Sequence, residues 1–159
     1  MMPEPLTLVC PSAGPRLRDV IETALCDLPV RNAQGDLRGA RILFALDAGS
    51  VGMDEPTLRL LRRLRSEPGC LEGSVCGFVV DGETELYTKA LAQDLALAAN
   101  LAGAALPGKP LVEGTGSLYN QHILAARRGI SWEETYRART RELGERLLAF
   151  SPKRVGRPK

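Results

Sequence analysis

Apolar runs and helix-patterned segments alternate along the chain, and no two consecutive runs are joined closely enough to form a hairpin. Leu6–Cys10, Arg41–Leu46 and Ser74–Val80 are almost wholly apolar, as strands are when helices cover both faces of their sheet. Val30–Ala33 reads as a short edge strand, and Lys109–Glu113 as a last strand whose Pro110 places its start at the sheet margin. Antiparallel neighbours need only a two-residue turn, whereas parallel ones need a crossover of a dozen residues or more. The intervening segments have that length and carry their own helical period. A parallel sheet with right-handed crossovers follows.

The helices are delimited by ordinary start and stop signals. Arg16–Leu28 sets Leu17, Val20, Ile21, Ala24, Leu25 and Leu28 at spacings of three and four, and Pro29 ends it. Asp54 is an N-cap with Pro56 in the first turn; the helix runs to about Ser66, turning Leu58, Leu61 and Leu64 inward and four arginines outward. Glu85–Leu101 is alanine-rich, with Leu86, Ala90, Leu91, Leu95, Ala98 and Leu101 or Ala102 expected towards the sheet. Ser131 with Glu134 forms a capping box, and the helix behind it aligns Tyr136, Leu143, Leu147 and Phe150. With Val30–Ala33 counted, the reading is a three-layer, doubly wound α/β fold. Its five-stranded parallel sheet has the flavodoxin-like order 2-1-3-4-5.

At 159 residues the chain suits one domain over residues 1–150, followed by a basic tail, 151–159, expected to be disordered. A domain of this size buries roughly 68–70% of its unfolded surface and needs no disulfide or metal. Cys10, Cys26, Cys70 and Cys76 include no C-x-x-C pair, and His122 is the only histidine, so no zinc site is expected. Cys10 and Cys76 fall in runs that read as buried strands. The start of the chain lacks a signal-peptide pattern, and no apolar stretch approaches ~18 residues, so a cytoplasmic protein without a membrane partner is expected. A net charge of +2 and one basic tail are too little to imply a nucleic-acid partner.

In open α/β sheets, ligands bind beyond the carboxyl ends of the strands where strand order reverses. The loops that meet there are Pro11–Arg16, Asp47–Met53 and Asp81–Tyr87. Ser12, Gly14 and Arg16 suit a phosphate, because free N–H groups at a helix start attract anions; helix capping by Ser12 alone is the plainer alternative. Asp47, Asp81 and Glu85 form a possible acidic cluster, or are simply turn and helix-start residues. The donor-rich loop Gly114–Asn120 contributes Thr115 and Ser117, and no P-loop lysine follows its glycines. Tyr87 and Tyr119 are candidates to stack on a ring, or amphipathic core-edge residues. The G-x-G-x-x-G fingerprint is missing after the first strand, where Cys10-Pro11-Ser12-Ala13-Gly14-Pro15-Arg16 stands instead.

From Leu6 to Glu113 this arrangement resembles the NADPH-dependent FMN reductase branch of the flavodoxin-like superfamily. ARILFALDA at 40–48, LRLLRRLRSEPGCL at 58–71 and EGSVCGFVVD at 72–81 follow that branch's strand, helix and strand in order and loop length. The resemblance implies FMN, with its phosphate at Ser12, Gly14 and Arg16. The ring would lie among Asp47, Ser50, Gly52, Asp81, Gly82, Glu85 and Tyr87, with Thr115 and Ser117 within reach. It further implies a flavin or nucleotide as small-molecule partner, NAD(P)H as hydride source, and a homo-oligomer paired through the alanine-rich helix. Three positions depart from the family pattern. Leu17 and Asp19 stand where a second hydroxyl is usual, Asp47–Gly52 replaces a proline-and-tyrosine motif, and Asp81–Glu85 replaces a small glycine-rich turn. Three functions stay open: an FMN-dependent NAD(P)H oxidoreductase, a flavin-free binding or assembly module, and a hydrolase or transferase using Asp47 and Asp81.

Overall fold

A computed structural model of the chain describes residues 4–115 and 119–150, the latter span by backbone alone at 119 and 120. The basic tail and Ser117 lie outside the described residues. The elements are β1 (Leu6–Val9), α1 (Pro15–Ala24), β2 (Val30–Asn32), β3 (Arg41–Asp47), α2 (Glu55–Ser66), β4 (Val75–Asp81), α3 (Glu85–Leu101), β5 (Leu111–Gly114), α4 (Tyr119–Arg128) and α5 (Trp132–Ala149). The sheet order is β2-β1-β3-β4-β5, with every neighbouring pair parallel. This is the expected flavodoxin-like architecture.

Strand alternation divides the core in two. Ile42, Phe44 and Leu46 of β3 and Cys76, Phe78 and Val80 of β4 face α2 and α3. Leu43, Ala45, Val75 and Val79 face α1 and α5. Phe44 and Phe78 are register partners, and their rings stack at 5.6 Å between centroids. Both faces of β3 and β4 are thus dry, which is why these runs are continuously apolar.

Four expectations need correction. Leu58 of α2 is 37% exposed, and Thr57, Leu61 and Leu64 make the buried face instead. In α3 the buried set is Thr88, Leu91, Ala92, Leu95, Ala98 and Ala99, while Leu86 is 72% and Leu101 65% exposed and Ala90 also faces outward. The small alanines let α3 lie close to the sheet, and that close approach sets the phase of the helix against its leucines. Cys76 is buried as expected, but Cys10 falls just past the end of β1 and is exposed. Helix α4 was not anticipated, because its flanking loop reads as polar and glycine-bearing.

The chain returns from β5 through α4 to α5, whose start carries the expected capping box: Ser131 Oγ accepts from Glu134 N, and Glu134 Oε2 accepts from Ser131 N. Tyr136, Leu143 and Leu147 bury the inner face of α5 against the sheet. Two strand glycines make that approach possible. A β-carbon at Gly77 would meet Leu143 at 2.8 Å, and one at Gly114 would fall inside the Tyr136 ring. Gly114→Ala is therefore expected to destabilise the protein by about 2–3 kcal/mol through overpacking, a fall in Tm of roughly 5–10 °C in thermal unfolding.

Candidate functional site

The period of two along β3 and β4 carries Asp47 and Asp81 onto the α1/α5 face, and the two are register partners at the carboxyl ends of their strands. The structure thus brings this pair together as the sequence suggests. Glu85 does not join them. It starts α3 across the sheet and is ion-paired with Lys89.

Asp47 closes the start of α1. Its Oδ2 accepts from Gly14 N at 2.9 Å and its Oδ1 from Gly49 N at 2.8 Å. Gly14 is the N-cap of α1 and brings no side chain, so the Asp47 carboxylate occupies the place where a helix start attracts an anion. A β-carbon at Gly14 would collide with that oxygen. Ser12 does not cap α1. Its hydroxyl donates to Asp54 Oδ2 at 2.5 Å, while Asp54 Oδ1 caps α2 through Thr57 N at 2.9 Å. Burial opposes the Asp54 charge, but these donors outweigh it and hold the carboxyl below its ordinary pKa.

Arg16 reaches from α1 to the end of β4. Its Nη2 donates to Asp81 Oδ1 at 2.7 Å and its Nε to Asp81 Oδ2 at 3.0 Å. The same Nη2 reaches the carbonyls of Gly82 at 2.9 Å and Gly114 at 3.2 Å. Trp132 lies beside the guanidinium, 5.4 Å from ring centroid to Arg16 Cζ, and stacks on Tyr136 in turn. Burial pushes the Asp81 carboxyl above its ordinary pKa, with Arg16 pulling against it. The Tyr136 hydroxyl is buried without a well-formed hydrogen bond. Burial, then the nearby Asp81 charge, raise it well above ordinary tyrosine.

The loops proposed to hold a ring are joined to each other. Ala48 N donates to Asp81 O at 2.7 Å, Glu83 N to Gly49 O at 3.1 Å and Gly82 N to Gly114 O at 3.2 Å. A β-carbon on Gly82 would touch Thr88 and Ala48. Tyr87 packs on Gly52, where a β-carbon would meet its ring at 2.9 Å. Thr115 is buried, and its hydroxyl donates to Glu83 O at 3.3 Å. Ser50 is exposed on the outer turn. Beside these groups lies a depression of about 330 Å³ lined by Ser12, Gly14, Asp47, Val51 and Asp54 among others, and past the end of β1 one of about 470 Å³ that includes Cys10, Ser12 and Arg18. Asp47 and Asp54 bring two carboxylates to the first, and Ala13, Ala48 and Val51 make much of the rest of its wall. Among the described residues, no group of three His, Cys, Asp or Glu side chains is placed to hold a metal ion.

Sequence reasoning missed the partners rather than the positions. Asp54 was seen as a cap and not as the acceptor for Ser12; Trp132 carried no signal beyond its i,i+4 spacing from Tyr136. Three residues nominated for a phosphate, Ser12, Gly14 and Arg16, are each matched to a carboxylate of the chain itself: Asp54, Asp47 and Asp81.

No protein-family model and no curated protein sequence matches the chain. Two solved structures are similar to it. One is a flavodoxin of Streptococcus pneumonia TIGR4, at 15% identity and TM-score 0.58, covering 91% of this chain and 97% of that one. The other is a short-chain flavodoxin associated with a non-canonical PDU bacterial microcompartment, at 16% identity and TM-score 0.55, covering 92% and 97%. The fold is therefore flavodoxin-like over nearly the whole chain. No helix among the described residues is long and apolar enough to cross a membrane.

The Arg16–Asp81 pair has a pH signature. A carboxyl whose folded pKa lies above its unfolded one favours folding below the unfolded value and loses that contribution as pH rises through the folded pKa. Arg16→Met removes the opposing cation and raises the Asp81 pKa further. Arg16 is partly exposed, which screens the pair. The variant is expected to lose about 2–3 kcal/mol at neutral pH, with the deficit shrinking as pH falls and Asp81 takes up a proton. Urea denaturation at a series of pH values reads this; a deficit constant with pH would refute the account.

Proposed function

We propose that this chain is a flavin-free flavodoxin-like module that works by binding and assembly. The observation that carries this reading is the Asp47 carboxylate seated on the Gly14 N–H at the start of α1. An FMN phosphate placed there would meet Asp47 and Asp54 and find Ser12 and Arg16 already engaged. Like charges at such distances repel strongly in a partly buried site. The ring has no slot either, because the loops after β3 and β4 bond to each other directly. The residues do not fit FMN held as the family resemblance implies, and they give no support to the NAD(P)H oxidoreductase reading, whose favouring observation is the fold alone. The hydrolase reading is weaker still: both Asp47 oxygens accept backbone N–H groups, and Asp81 is held by the Arg16 fork.

Purified protein is expected to be colourless in the visible range and to leave the FMN spectrum unchanged on titration. Asp47→Ser, which removes the resident anion, is expected to raise the affinity of the α1 start for inorganic phosphate by about tenfold, equivalent to roughly 1.4 kcal/mol. Stoichiometric FMN binding by the unaltered chain would overturn the proposal and favour the oxidoreductase.

Assembly is assigned to α3. Leu86, Leu97 and Leu101 are 72%, 57% and 65% exposed. Their spacings of eleven and four place them on one stripe of the helix, away from the sheet. Burying a leucine contributes roughly 1.5–3 kcal/mol, so a second copy meeting this stripe gains substantially. Light scattering is expected to show a dimer, and the double substitution Leu97→Glu and Leu101→Glu a monomer. A monomer in the unaltered protein at high concentration would remove this arm.

A further inference from the structure

A second concave region lies away from the start of α1, on the flank where β5, α4 and α5 meet. It measures about 560 Å³ and is lined by Lys109, Leu111, Val112, Gln121, Leu124, Arg128, Arg139, Glu142 and Arg146. Ligand pockets commonly fall between roughly 300 and 1,000 Å³, so the space suits a small metabolite. Four of the lining side chains are cations and one is an acid. None of the four is ion-paired with a carboxylate among the described residues, whereas Arg137 and Arg141 on the same helix α5 both are, with Asp19 and Asp27.

One of the cations is held in place by the backbone. Arg146 donates from Nη1 to Lys109 O at 2.8 Å and to Gly108 O at 3.2 Å. That contact fixes the turn before β5, where Lys109 has φ 56, a left-handed backbone costly for a residue with a β-carbon. A second, independent feature points inward. Gln121 is 6% exposed and lines the cavity. Its Nε2 donates to the Glu113 carbonyl, which leaves Oε1 buried without a donor. An unsatisfied buried acceptor costs about 1–3 kcal/mol, a cost that a ligand hydroxyl or N–H would relieve. Leu111, Val112 and Leu124 supply an apolar wall.

We infer that this cavity is a binding site for a phosphorylated small molecule that carries a hydroxyl or N–H donor. Arg128, Arg139 and Lys109 meet the phosphate, Gln121 Oε1 accepts from the ligand body, and the three aliphatic side chains pack against it. Arginine forks match phosphate oxygens in pairs, which sets this site apart from a diffuse positive surface. The inference is independent of whether the carboxyl edge takes flavin.

The test is a titration of the full chain with ribose 5-phosphate and with adenosine 5′-monophosphate, followed by the NMR signals of the Gln121 side-chain amide. Inorganic phosphate and adenosine serve as the two halves of the ligand tested separately. Saturable shifts are expected with at least one organic phosphate, at about tenfold or more lower concentration than with inorganic phosphate or adenosine. Arg139→Gln and Arg128→Gln are each expected to weaken that binding by about tenfold. Arg62→Gln, on the outer face of α2, is expected to leave it unchanged. Both cavity arginines reach solvent, so the variants should fold, and their unfolding curves confirm it. The inference fails if the Gln121 signals stay still with both organic phosphates, if inorganic phosphate binds as well as they do, or if folded Arg128→Gln and Arg139→Gln bind as the unaltered protein does.

Discussion

The Arg16–Asp81 fork is the interaction on which the ligand edge of this fold depends. Strand phase forces Asp81 to the α1/α5 face, where it is only 4% exposed. A carboxylate there needs a fixed counter-charge or must take up a proton. Arg16 supplies the charge from the first turn of α1, and its Nη2 also donates to the carbonyls of Gly82 and Gly114. One side chain thus ties a helix to the ends of two strands. It also explains why Trp132 and Tyr136 stand where they do, since the stacked rings cover the outer side of the fork.

Charge is distributed by purpose rather than by amount. The chain is nearly neutral, yet the depression at the start of α1 and the cavity on the β5 flank differ in character. At the start of α1 the Ser12 hydroxyl, the Gly14 N–H and Arg16 are each met by an internal carboxylate, which weakens the attraction of that place for an incoming anion. On the β5 flank four cations line the cavity with one acid, Glu142, and none of the four is ion-paired with a carboxylate among the described residues.

Much of the fold was legible because it depends on patterns with a fixed period. Continuous apolar runs at Arg41–Leu46 and Ser74–Val80 declared strands covered on both faces, and the intervals between them required parallel crossovers. The capping box at Ser131 and the Asp54 cap are local chemistry and were readable as such. The α3 face was misjudged because leucine outranks alanine in hydrophobicity, whereas close packing on a sheet favours the smaller side chain at Ala92, Ala98 and Ala99. The site positions were legible for the same reason as the fold: they follow strand ends. Their partners were not, because a pairing such as Ser12 with Asp54, forty-two residues apart, leaves no trace in spacing. Gln121 was invisible too, lying in a helix whose flanking loop looked like a turn.

The borders of the sheet govern how copies of this chain can meet. At one margin β2 has three residues, of which Arg31 and Asn32 face solvent. At the other, β5 has four, and the proline before it offers no amide hydrogen. Neither margin presents a long row of free main-chain donors and acceptors, the template along which proteins stack into open-ended fibrils. A pairing through side chains on a helix, as proposed for α3, would need no such template.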